Sequence, residues 1–191
     1  ILGEGITGIG DYAFQNYTGL ASVTIPNSVT SIGYSAFSGC SGLTSVNIPN
    51  SVTSIESNAF DGCTGLTKVN ITDIAAWCNI AFGSSTSNPL YYAQRLYLDN
   101  AEVKNLVIPN DISQIKHYTF YNCSSLTSVT IPNSVTSIGR SAFGGCSSLT
   151  SVNIPDSVTY IFDGAFAGCR GLTSVNIPQG VTSILESVFS G

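Results

Sequence analysis

The chain of 191 residues has no methionine, one tryptophan and one histidine, and only 9% of its residues are charged. Six Lys and Arg residues, spread along a chain of net charge −5, form no basic patch to displace counterions, which argues against a nucleic-acid ligand. The same balance suits an anionic membrane surface poorly. No apolar run approaches the 18 residues of a membrane-spanning helix. No positively charged segment followed by an apolar stretch marks a signal peptide within these residues. The missing methionine, with ends that fall in mid-repeat at Ile1-Leu2 and Phe189-Ser190-Gly191, leads us to expect a fragment of a longer repeat protein.

What the chain does have is a phrase of 23 residues, written LTSVNIPNSVTSIESNAFDGCTG from Leu43 to Gly65, that recurs on both sides. Its anchor leucines are Leu20, Leu43 and Leu66, then Leu126, Leu149 and Leu172. A fixed period of this length is the mark of a solenoid, in which each rung is too small to bury its own apolar face and is stabilised by its neighbours. Within the phrase the apolar positions are Leu43, Val46, Ile48, Val52, Ile55, Ala59, Phe60 and Cys63. Val46-x-Ile48 alternates as a half-buried strand does. Pro49, with no N–H to donate, ends that strand, and Asn50-Ser51 suit the turn. Val52 to Ile55 predicts a second short extended piece. The Ser/Asn-Ala-Phe segment predicts one helical turn that plugs the interior with Phe60 and its equivalents Phe14, Phe37, Phe120, Phe143, Phe166 and Phe189.

The fold class expected is therefore an α/β repeat solenoid, one domain over 1–191, with regular rungs at 1–71 and 108–191. Leu66 and Leu126 are 60 residues apart, two periods plus 14, so residues 72–107 read as a degenerate repeat with an insertion. Asp73 is placed to cap a short helix, with Ile74, Trp77 and Cys78 on one face. Gly83 to Pro89 reads as a loop. Leu96 to Leu98, Asp99-Asn100 and Val103 to Ile108 read as a hairpin.

Candidate functional residues fall into three groups. The insertion gathers Trp77, Tyr91 and Tyr92, with Phe82 and Tyr97 nearby; these rings either form a platform for a sugar or a protein partner or fill the extra space of a non-standard rung. The outward strand positions make two polar columns that include Ser22/Thr24, Ser45/Asn47, Lys68/Asn70, Ser128/Thr130, Ser151/Asn153 and Ser174/Asn176. Asn47, Asn70, Asn153 and Asn176 could hydrogen-bond a glycan or an extended polypeptide, or simply solvate a sheet face. Lys68 breaks its column beside the insertion. The third group is a ladder of cysteines, Cys40, Cys63, Cys123, Cys146 and Cys169, which we expect to be reduced and buried. It lacks the CxxC or Cys/His spacing of a metal site. His117 occupies the freely varying position of Tyr34, Ser57 and Arg140, and Asp61, Asp73, Asp156 and Asp163 are scattered. No catalytic constellation, metal site or cofactor is expected.

The phrases Leu43 to Gly65 and LTSVTIPNSVTSIGRSAFGGCSS (Leu126 to Ser148) resemble the BspA-like, Treponema pallidum-type, leucine-rich repeats over about six rungs. The resemblance implies a right-handed leucine-rich-repeat superhelix. It also implies a bacterial cell-surface or secreted protein that binds a host extracellular-matrix protein or a surface glycan in adhesion. Two other readings stand beside it: a passive stalk, and a carbohydrate-binding module centred on the aromatic insertion.

Overall fold

In the computed structural model, which describes residue 3 and residues 5–191, the apolar positions of the phrase all point inward. Leu43, Val46, Ile48, Val52, Ile55, Ala59, Phe60 and Cys63 are each buried. The chain forms two compact units, Ile1–Glu102 and Val103–Gly191.

In the first unit the Val-x-Ile segments give β2 (Ser22–Thr24), β4 (Ser45–Asn47), β6 (Lys68–Ile71) and β8 (Leu96–Leu98), closed by β9 (Ala101–Glu102). They make one five-stranded sheet in the order β2-β4-β6-β8-β9. The second extended pieces, β1 (Gly8–Ile9), β3 (Ser31–Ile32), β5 (Ser54–Ile55) and β7 (Ala81–Phe82), make another. All pairings are parallel and in register except β8 with β9, which is antiparallel. The second unit repeats the plan. β10 (Asn105–Val107), β12 (Ser128–Thr130) and β14 (Ser151–Asn153) form one parallel sheet; β11 (Gln114–Ile115), β13 (Ser137–Ile138) and β15 (Tyr160–Ile161) form the other. Asn153 and Asn176 continue the first of these as an isolated parallel bridge.

Stacking turns each repeat position into a column. The phenylalanine plugs lie ring on ring: Phe14, Phe37 and Phe60 at 5.2 and 5.3 Å, then Phe120, Phe143, Phe166 and Phe189 at 5.4, 5.4 and 5.6 Å. Their planes are within 15° of parallel.

The Ala-Phe segment is not the helical turn that its residues predict. It is a run of turns whose amides alternate between two destinations. Ala36, Ser38 and Cys40 donate within the rung, to the carbonyls of Gly33, Ser35 and Phe37. Ser35, Phe37 and Gly39 donate to Ser57, Ala59 and Asp61 of the next rung. The alternation needs two left-handed residues per rung, Ser35 (φ 50°) and Gly39 (φ 74°) here, which break any helix. At Gly39 a Cβ would also meet the Asn16 side chain of the rung below, so glycine fits there without displacing it. Among the described residues the regular rungs therefore contain no helix, and the α character expected of the fold is confined to the insertion.

There, Asp73 caps α1 (Ile74–Cys78), its carboxylate accepting the Ala76 amide at 3.0 Å. This helix replaces the Pro-Asn-Ser turn and lengthens the rung, so that Ile55 pairs with Phe82, 27 positions on. The expected loop at Gly83–Pro89 holds a 3-10 turn at Ser85–Ser87 and leads into α2 (Leu90–Ala93). Buried Ser87 takes the place of the plug, because Phe60 donates to Thr86 as Phe37 does to Ala59. The hairpin is also shorter than expected. β8 turns back through Asp99 (φ 49°) and Asn100 (φ 68°) into β9, a two-residue turn of the left-handed kind that fits twisted strands. Val103 to Ile108 is not its return arm; Asn105–Val107 instead begins the second unit's sheet, paired with Ser128–Thr130.

Candidate functional site

On the outward face of the first unit's main sheet the two polar columns are short and uniform until β6. Register places Ser22, Ser45 and Lys68 in one column, and Thr24, Asn47, Asn70 and Tyr97 in the other; Arg95, the residue before β8, extends the first column by one position. Arg95 lies directly beside Lys68, and its carbonyl accepts the Val69 amide. Two of the chain's six cations are thus cross-strand neighbours, an arrangement that weakens a sheet. The Lys68 ammonium sits 4.6 Å from the centre of the Tyr97 ring and donates to Asn100 Oδ1 at 3.0 Å. Arg95, whose side chain is 60% exposed, makes a long contact to Glu102, 3.9 Å from Nε to Oε1. Exposed Asn47 borders the group.

Asn70 is committed elsewhere. It is buried, and its Oδ1 accepts the Asn100 amide at 3.0 Å, which fixes the hairpin turn. It supports the patch and does not face a ligand. Trp77 requires a plainer correction: at 1% exposure, packed 5.3 Å from Phe82, it fills space and offers no face to a sugar. Tyr91 and Tyr92 are half-buried against each other at 4.8 Å. The Tyr92 hydroxyl accepts the Gly62 amide at 2.9 Å and donates to Asp61 at 3.2 Å, so it straps two rungs together at the turn edge. Burial, with the Asp61 carboxylate adding to it, holds this phenol above its usual range. The structure does not bring Trp77, Tyr91 and Tyr92 together with the strand columns. In the second unit Asn153 and Asn176 are exposed and adjacent through their backbone bridge, among short polar residues.

Arg95, Asn100 and Glu102 were absent from the candidates the sequence supplied, and Tyr97 stood there with the insertion's aromatic rings, not in a strand column. The extra four residues of the lengthened rung move Arg95 and Tyr97 out of the 23-residue phase, although both follow their partners Lys68 and Asn70 at the same interval of 27.

The cysteine ladder is buried and free of disulfides. Four of the ladder thiols donate to the carbonyl of the phenylalanine one rung back: Cys40 to Phe14, Cys63 to Phe37, Cys146 to Phe120 and Cys169 to Phe143, at 3.1 to 3.3 Å. Burial pushes the Cys63 and Cys169 thiols up to about 12, which removes the thiolate that nucleophilic or metal chemistry needs. Exposed His117 accepts the Arg140 amide through Nδ1 at 2.8 Å. Partial burial, then the Arg140 charge, lowers its basicity. Among the described residues no three His, Cys, Asp or Glu side chains are placed to hold a metal ion.

Parallel strands stacked at a 23-residue repeat, with Leu, Val, Ile, Phe and Cys as the interior columns, define a leucine-rich-repeat solenoid protein. The family model described as the BspA type leucine-rich repeat region matches residues 1–90 and 92–191, in 6 copies, and the chain belongs to that family. Among solved structures, a leucine-rich repeat protein from Bacteroides ovatus is 28% identical, with a TM-score of 0.58 over 92% of this chain. The Treponema pallidum leucine-rich repeat protein is also 28% identical, with a TM-score of 0.56 over 90% of this chain. The chain spans 42% of the length of the first and 74% of the second. The pneumococcal vaccine antigen PcpA, 18% identical with a TM-score of 0.58, shares the fold over 100% of this chain and 59% of its own. Among curated proteins none is significantly similar.

Proposed function

We propose that this protein is a non-enzymatic binding scaffold, displayed on the bacterial surface or secreted, that adheres through recognition of a host protein or a surface glycan. Its contact centre is the strand-face patch of Lys68, Arg95, Tyr97, Asn100 and Asn47. The observation that carries this reading is the Lys68–Arg95 pair. Like charges side by side on neighbouring strands cost stability, and elsewhere the described columns of both units hold Ser, Thr and Asn, with exposed Val107 as the one apolar exception, and no other charge. A binding role accounts for that cost, and buried Asn70, bonded to the amide of exposed Asn100, holds the patch in shape for it.

The test is binding of the protein to a combined array of extracellular-matrix proteins and glycans at physiological salt. Saturable binding that is lost in a folded Lys68→Ala/Arg95→Ala double variant is the expected result. Saturable binding indifferent to that variant refutes the patch. A blank array leaves the uniform columns as the face of a passive stalk. The module centred on aromatic stacking at Trp77 has no exposed ring to support it.

A further inference from the structure

The second unit departs from the repeat at a different edge, and its departures converge. At the position after the isoleucine of the second sheet, one rung has Gly139 and the next has Phe162; Tyr160 stands where Ser137 stands. Because Gly139 has no side chain, the Phe162 ring reaches across that rung to His117, two rungs away, at 5.1 Å and 80°. The Tyr160 ring, 44% exposed, extends the run at 4.5 Å from Phe162. His117 in turn accepts the Arg140 amide, and the Arg140 guanidinium donates to Asp163 at 2.9 Å. Beside this pair lies an open trough of about 330 Å³, lined by Arg140, Ser141, Asp163, Gly164, Glu186 and Ser187. Its small residues, Ser141, Gly164 and Ser187, are the left-handed positions of three successive rungs.

We propose that this trough is a second binding site, for a neutral sugar residue. The floor carries no large side chain, so a flat ring can approach the backbone. The rim offers one fixed donor, Arg140, and two acceptors, Asp163 and Glu186. A sugar hydroxyl both donates and accepts, so vicinal hydroxyls satisfy such a mixed set, as neither a pure anion nor a pure cation does. The three charges leave a net negative rim, which repels carboxylated or sulfated glycans. A metal cation finds Asp163 already paired and no third acidic ligand on the rim. The site is shallow, so a Kd on the order of millimolar for a monosaccharide is expected, with affinity gained when several copies or sites engage one polymer.

The proposal rests on the binding-scaffold reading but on residues of the other unit, so the two fail separately. The experiment is titration of the full chain with the methyl glycosides of glucose, galactose, mannose and N-acetylglucosamine, followed by amide chemical shifts. At least one should cause saturable shifts centred on residues 140–141, 163–164 and 186–187. Asp163→Asn and Glu186→Gln should each weaken it about tenfold, and Lys68→Ala should leave it unchanged. Exposed Glu186 forms no ion pair among the described residues, so Glu186→Gln keeps the test decisive if Asp163→Asn unfolds. Absence of saturable shifts at the trough with all four glycosides overturns the proposal. So do equal shifts on adding calcium chloride alone, or wild-type affinity in Glu186→Gln. Saturable shifts confined to Lys68, Arg95 and Tyr97 overturn it while supporting the strand-face reading.

Discussion

Replacing Phe143 with alanine tests the rung register more directly than any other single change. The ring is fully buried and lies between Phe120 and Phe166, at 5.4 Å from each and within 10° of parallel. Truncating a buried Phe costs about 3–5 kcal/mol in lost transfer energy and cavity. Two ring contacts are lost with it, each worth about 0.5–1.5 kcal/mol beyond buried area. The expected loss is therefore at the upper end, about 5 kcal/mol. Two other plugs calibrate it. Phe60 is equally buried but stacks on Phe37 alone, with Ser87 at the following plug position, so Phe60→Ala should cost about 1 kcal/mol less for want of the second ring contact. Phe189 is 38% exposed with Phe166 as its ring partner, and its truncation should cost about 1–2 kcal/mol. Urea unfolding followed by circular dichroism gives the values, with each unit's transition fitted by itself because two units need not unfold as one. A loss below about 1 kcal/mol for Phe143→Ala, or equal losses at Phe143 and Phe189, would refute the register.

The thiols supply a second check. With Cys63 and Cys169 raised to about 12, iodoacetamide at mildly alkaline pH should leave the native ladder unmodified by mass spectrometry and label it once denaturant is added; rapid labelling of the native protein would contradict their burial. Stability should fall as the solution is acidified. His117 binds its proton less readily in the fold than at its ordinary value near 6.5, so the contribution is complete above that pH and is lost as pH falls from there through the lower folded value. Urea midpoints at pH 7.5 and 5 should differ more in the wild type than in His117→Gln. Asp73→Ala should cost about 1 kcal/mol through loss of the α1 cap, and an unchanged midpoint would show that the helix is held by packing alone.

Much of this was legible in one period of sequence. The eight apolar positions of Leu43 to Gly65 are the eight that line the core, since strand alternation and a proline stop are local signals. The turn edge was not legible. A 3-10 helical turn and the observed run of turns share the same bonds from Ala36 to Gly33 and from Ser38 to Ser35. They differ only in where Ser35, Phe37 and Gly39 donate, and those acceptors exist only when another rung is stacked above. Trp77 was legible as a ring on a helix face that either offers a platform or fills the rung, and the structure selects the second, because burial depends on what the lengthened rung folds over. The patch was half legible. Lys68 stood out in its column, while the places of Arg95 and Tyr97 beside it were hidden by a shift of four residues that only pairing reveals.

The hairpin has a consequence for self-association. A sheet of identical parallel rungs ends in a row of unpaired amides and carbonyls that matches any other rung of the same chain, and so templates its own kind. In the first unit the antiparallel strand β9 covers that row on β8. Being two residues long and ending on Glu102, it offers little for a further strand to copy. A turn enforced by Asp99 and Asn100 thus acts as a stop against edge-to-edge polymerisation, and weakening it, for instance with Val at both positions, should show first as aggregation.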